Sequence, residues 1–132
     1  MAKKKYSTLS DPAFRSKQLA SALEQQDVAA VAFALRNDKV IVPLLDGEGT
    51  PQVRVFKRDD AEGYMLLLFS SAANYVAMLP KETNHRVLAY DAAGLKEFLG
   101  MNVGVIDAVW FDVAGPHPMQ AAAEDILAAL EL

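Results

Sequence analysis

At 132 residues, with 52% hydrophobic and 23% charged side chains, the chain has the balance of one globular domain and not of a disordered or fibrous protein. A net charge of -4 leaves it without the basic footprint that phosphate backbones require, so nucleic acid is not an expected partner. The lack of cysteine removes disulfides, thiolate metal sites and a cysteine nucleophile together, and fits a reducing cytoplasm.

The start carries Lys3-Lys4-Lys5 but no apolar core of the length a signal peptide needs. A cytoplasmic protein is expected, with a flexible N-terminus over residues 1–10 and a single domain over 11–132. Ser10-Asp11-Pro12 is a helix-start signal, because proline suits the first helical position and the residue before it can cap free amides. Leu19, Ala22 and Leu23 give that first helix an apolar stripe and predict its end near Gln26. Asp27 predicts a second cap, followed by Val28, Val31, Ala32 and Leu35 on one face of a helix that ends near Arg36. Val40–Leu45 reads as a strand in which Pro43, with no amide to give a neighbour, points to a sheet edge or a strand end. Asp46-Gly47-Glu48-Gly49 predicts a hairpin turn into Gln52–Lys57, where Val53 and Val55 alternate with Arg54. After a polar loop closing on Gly63 comes Met65-Leu66-Leu67-Leu68-Phe69, a run too short to span a membrane and typical of a strand covered on both faces.

Ser70 and Ser71 stop that run and open a helix carrying Ala72, Tyr75, Val76 and Leu79, which ends near Pro80. A polar loop leads to the strand Arg86–Tyr90. Asp91 caps a helix holding Leu95, Phe98 and Leu99 and closed by Gly100. Ile106–Phe111 is the closing strand. Gly115-Pro116-His117-Pro118 precedes a last helix with Met119, Ala123, Ile126, Leu127 and Leu130 on one side. The alternation of strand and helix implies parallel crossovers. The expected fold is α/β with α+β character, a single mixed sheet of about five strands, an antiparallel meander followed by parallel crossovers, with helices packed on it.

Ser70 and Ser71 lie where a strand meets a helix, and in open α/β sheets ligands collect beyond the carboxyl ends of strands. Asp91 and Asp112 fall at strand ends near the same edge. Asp91 reads as a cap, whereas Asp112 joins Ser70 and Ser71 as a candidate ligand-binding set. The plain alternative for the serines is capping. No catalytic residue is expected: there is no G-x-S-x-G elbow or glycine-rich phosphate loop, and the two histidines, His85 in a polar loop and His117 between prolines, form no recognisable triad. No metal is expected either, since the histidines are far apart and Asp46, Glu48, Asp59, Asp60 and Glu62 do not follow a calcium-loop spacing. Trp110 and the scattered Met65, Met78, Met101 and Met119 read as packing residues. The last helix packs on its own sheet or forms a subunit contact.

The order of elements, with Val40-Ile41-Val42-Pro43-Leu44, Leu67-Leu68-Phe69-Ser70-Ser71 before Ala72-Ala73, and Val109-Trp110-Phe111-Asp112, resembles the SseB protein N-terminal domain family from about Leu19 to Pro116. That resemblance implies a small α/β domain, of a family named for enhanced serine sensitivity, and brings no catalytic residues to carry over. Family members commonly end the last strand in an Asn-Pro turn, where this chain has Asp112-Val113 and Pro116 later. The expected function is a non-catalytic, cytoplasmic protein-interaction module without cofactor or metal. It would bind a protein partner or itself through the edge of the meander or the last helix. A small-molecule or anion binder using Ser70, Ser71 and Asp112 is the alternative, and a hydrolase the third. No membrane association is expected.

Overall fold

A computed structural model describes residues 15–45, 52–57, 59–60, 62–82 and 86–131. The predicted central strand is there. Tyr64–Leu68 forms β2, and Leu66, Leu67, Leu68 and Phe69 are buried, with Met65 half-buried. β2 runs parallel to β4 (Ile106–Phe111), with Leu66 opposite Val109, Leu67 opposite Trp110 and Leu68 opposite Phe111. The register shifts between Tyr64 and Met65, so that Asp107 has no partner of its own in β2. A Cβ at Gly63 would fall on the Asp107 carboxylate, so a larger residue there would require the exposed Asp107 side chain to move aside. β4 pairs antiparallel with β5 (Met119–Ala122).

A second sheet holds two strands, β1 (Val40–Leu44) antiparallel to β3 (Arg86–Tyr90). The expected single sheet is therefore two, of two and three strands, within a mixed α/β fold that has five helices and five strands among the described residues. They touch where Ile41 and Phe69 exchange backbone hydrogen bonds of 2.9 and 3.0 Å. Beyond that point β1 presents Pro43 toward β2. It has a carbonyl to offer, which accepts from Arg54 N–H at 2.9 Å, but no amide. Pro43 was expected at a sheet edge or a strand end; it stands one residue before the end of β1, an outer strand of the two-stranded sheet, and is buried where β1 parts from β2. Gln52–Lys57 occupies the gap as two isolated bridges instead of a full strand, Val53 to Leu44 and Phe56 to Met65. The turn predicted at Asp46–Gly49 lies outside the described residues. β3 returns beside β1 rather than forming a parallel crossover, so the only parallel pair among the described strands is β2 with β4.

The helices are placed by local signals. α1 (Lys17–Gln25) starts at Ser16, whose hydroxyl accepts from Leu19 N–H at 3.2 Å, later than expected; the proposed start at Ser10-Asp11-Pro12 and the expected flexible N-terminus lie outside the described residues. Gln26, at φ 53°, turns the chain into α2 (Val28–Asn37), which Asp27 caps through Ala30 N–H. Val31, Ala34 and Leu35 of α2 are buried, but Val28 is 72% exposed, so the apolar stripe begins a turn later than its spacing suggested. Ser71 caps α3 (Ala72–Met78), and Asp91 caps α4 (Ala92–Asn102), which runs past Gly100.

α5 is Ala123–Leu130; Met119, expected within it, belongs to β5. Met119 and Ala121 face the core while Gln120 is exposed, and this two-residue alternation beside β4 overrides the helical preference of the alanines. The main core gathers Leu66, Leu68, Val109 and Phe111 from one face of the β2–β4 pair against α1, α2, α4 and α5. A smaller cluster of Ile41, Leu67, Phe69, Tyr75 and Val87 lies on the other face, under α3.

Candidate functional site

At the carboxyl ends of β2 and β4 the three residues singled out from the sequence do come together. Ser70 N–H donates to Asp112 Oδ1 at 2.8 Å and its hydroxyl donates to Asp112 Oδ2 at 2.7 Å. The Ser70 carbonyl accepts from Ser16 N–H at 2.7 Å. Ser70 is 2% exposed and Asp112 6%, so this pair is a buried, fully engaged clamp, in which both carboxylate oxygens are used. Asp112 reaches it from a backbone φ of 47°, a left-handed conformation that Asp tolerates better than most side chains. Its N–H continues the ladder to the Leu68 carbonyl, and its own carbonyl accepts from Gly115 N–H, so strand end and turn are fixed together. Ser71 differs. Its oxygen caps α3 by accepting from Asn74 N–H at 3.2 Å, which leaves its hydroxyl proton to point elsewhere.

Above this clamp lies a cleft of about 360 Å³, walled by Arg15, by Glu24 of α1, by Ser71 and Asn74, and by Pro116 and His117 from the β4–β5 connection. His117 makes no hydrogen bond to Ser70 or Ser71, and the Ser70 hydroxyl is held by the carboxylate directly, with Asn74 Nδ2 donating to it at a long 3.4 Å. That is not the nucleophile–base–carboxylate order of a hydrolase triad. His85, the other histidine, lies outside the described residues. Among the described residues no group of three or more His, Asp or Glu side chains is placed to hold a metal ion.

A second concavity opens on the face of β2 and β4 away from the main core. It measures about 480 Å³ and is lined by Phe56, Met65, Leu67, Met78, Leu79, Trp110 and Val113. α3 covers one end of this face, where Tyr75 packs on Phe69 with ring centroids 5.4 Å apart, and leaves the other open. Arg54 anchors the rim. Its guanidinium makes two 3.0 Å bonds to Glu82, donates to the Tyr75 hydroxyl at 3.0 Å and lies over the Phe56 ring. The bond to Glu82 holds the Arg54 pKa above its ordinary value, so the cation is permanent. A third hollow, about 720 Å³ between β3 and α4, includes the exposed Met101 with Lys39, Asp91 and Glu97. Asp91 there is already engaged as the α4 cap.

A family model for the SseB protein N-terminal domain matches residues 16–128. The chain belongs to that family. No curated protein and no solved structure matches it.

In this SseB-family domain, sequence reasoning found the floor of the polar cleft and Ser71 on its wall, but not the rest of the walls. Arg15, Glu24, Asn74 and His117 come from four separate segments, and no spacing in the chain links them. Trp110, read as a packing residue, is half-buried at the groove, and so are Met65 and Met78. The signal that could have marked them is β2 itself: a fully apolar strand needs covers on both faces, yet α3, at seven residues, is too short to cover the second one. Among the described residues no helix is long and apolar enough to cross a membrane.

Proposed function

We propose that this domain is a non-catalytic protein-interaction module whose contact face is the apolar groove beside Trp110. The groove itself is the observation that carries the reading: seven apolar side chains, two of them methionines and one the chain's single tryptophan, line a concave strip that the helices among the described residues leave uncovered. Tryptophan anchors binding hot spots, and flexible, polarizable methionines adapt to a partner's shape. The two contact places expected from the sequence are used internally. The apolar side of α5 is packed in the main core through Ala123, Ile126 and Leu130, and β1, the first strand of the expected meander, is covered by β3. The partner is a short apolar segment of another protein, with acidic residues at its flanks. Lys57 follows Phe56 and Lys81 follows Leu79 within two residues, and both lysines are exposed on a chain whose net charge is negative. The non-catalytic part rests on the Ser70–Asp112 clamp, whose hydroxyl is not offered to His117.

Selection of a random displayed peptide library against the domain tests this. Enriched sequences should place an aromatic or long aliphatic residue beside Asp or Glu, and Trp110→Ala should weaken them by about tenfold or more, whereas Met101→Ala on α4 should not. Peptides that bind the Trp110→Ala protein unchanged, or a library that never enriches, would overturn the assignment.

A further inference from the structure

The polar cleft at the ends of β2 and β4 has a rigid floor and unengaged walls. In the floor, every polar atom of Ser70 and both carboxylate oxygens of Asp112 are hydrogen-bonded, and Ser16 closes the same corner: its N–H donates to Ser70 and its hydroxyl donates to Asp38 at 2.7 Å. In the walls, the side chains of Arg15, Glu24 and His117 make no hydrogen bond or ion pair among the described residues, although Arg15 and Glu24 carry opposite charges and line one cleft. The Ser71 hydroxyl proton and the Asn74 side-chain carbonyl are likewise uncommitted. A surface whose polar groups merely dissolve the protein has no reason to gather them from four chain segments over a clamped floor. A ligand site does, because a clamped floor fixes the shape of the cleft while the walls keep their hydrogen-bonding capacity for the ligand.

We infer that this cleft binds a small molecule bearing a carboxylate at one end and an ammonium at the other. The carboxylate is matched to the forked donors of Arg15, with the Ser71 hydroxyl and His117 as further hydrogen-bonding groups within the same walls. The ammonium is matched to Glu24 and to the Asn74 carbonyl oxygen. At about 360 Å³ the space admits a compact metabolite-sized molecule and not a polymer chain. The site is separate from the apolar groove, so the fate of the peptide-binding reading does not decide it.

The test is a ruler of straight-chain ω-amino carboxylates: glycine, β-alanine, 4-aminobutyrate and 6-aminohexanoate. Each is titrated into the full chain and followed by amide nitrogen–proton correlation spectra, with butyrate and butylamine as one-ended controls. One length should move the resonances of Ser71, Asn74 and His117 with saturation, and both controls should bind it more weakly by about tenfold or more. Arg15→Gln should abolish the response, and Glu24→Gln should bring the best amino carboxylate down to the level of butyrate. Both side chains are exposed, so neither change threatens folding, and unchanged spectra away from the cleft confirm it. If no member of the series moves those resonances, or if Arg15→Gln binds as the parent does, the site does not exist. Butyrate binding as tightly as the best amino carboxylate would overturn the two-ended ligand.

Discussion

The two faces of the β2–β4 pair are made of the same kind of residue and meet different fates. On one face Leu66, Leu68, Val109 and Phe111 are sealed, each no more than marginally exposed, beneath helices that arrive from both ends of the chain. On the other, Leu67 and Phe69 are buried under α3, but Met65 and Trp110, on the same strands, stay half-covered. Hydrophobicity along a strand therefore specifies that both faces are apolar, and the length of the covering helix decides which becomes core and which becomes surface. The first face holds the domain together; the second is the proposed contact face.

Substitutions three residues apart in β2, on its opposite faces, sharpen that contrast most strongly. Leu68→Ala should cost about 3 kcal/mol in urea unfolding, because it deletes a fully buried side chain and leaves a cavity between β2 and its helices. Met65→Ala, in the same strand but on the groove, should cost about 1 kcal/mol or less and reduce peptide binding instead. Equal losses at the two positions would mean the second face is as closed as the first.

The clamp at the strand ends comes next. Asp112→Ala should lower stability by about 2 kcal/mol, since it leaves the buried Ser70 amide and hydroxyl protons without their acceptor and puts a less tolerant residue at φ 47°. Asp112→Asn keeps an acceptor for the amide and the tolerance for that φ, and should lose less than half as much by the same measurement. If both variants lose equally, the carboxylate's second bond to the Ser70 hydroxyl, and not the turn, holds the strand ends together.

The first face was largely legible from the sequence, and so was the nearness of Ser70 to Asp112, though they were read as a candidate ligand-binding set and not as partners of each other. Caps at Asp27, Ser71 and Asp91, the buried run Leu66–Phe69 and the meeting of Ser70 with Asp112 all follow from local patterns or from the rule that strand ends share an edge. What stayed hidden depends on tertiary partners. Pro43 was read as marking an edge or a strand end, and it does stand near the end of an outer strand, but that it would be buried there, with its carbonyl taken by Arg54 N–H, depends on the segment that fills the gap between β1 and β2. Met119-Gln120-Ala121-Ala122 favours a helix until β4 lies beside it. Arg15, Glu24 and His117 have no periodic relation to one another, and only the closed fold gathers them.

The smallest expected effect compares the faces by titration. Tyr75 lies under α3 on the groove side, and burial pushes its pKa above the ordinary value near 10, against the opposing pull of the Arg54 cation. Tyr90 lies toward α4, and burial, aided by the negative charge of Glu97, raises its pKa as well. In the unfolded chain both tyrosines ionise near 10, so the folded state holds their protons longer. Their contribution to stability is whole below that pH and is lost as pH rises through the raised values. Arg54→Gln removes a cation that favours the Tyr75 phenolate. It should therefore move the Tyr75 midpoint further up while leaving that of Tyr90 in place, as read from phenolate absorbance in Tyr90→Phe and Tyr75→Phe backgrounds respectively. A Tyr75 midpoint that stays still or falls would show that Arg54 does not reach the hydroxyl in solution, and the groove would then be open at the rim where the Arg54–Glu82 pair closes it.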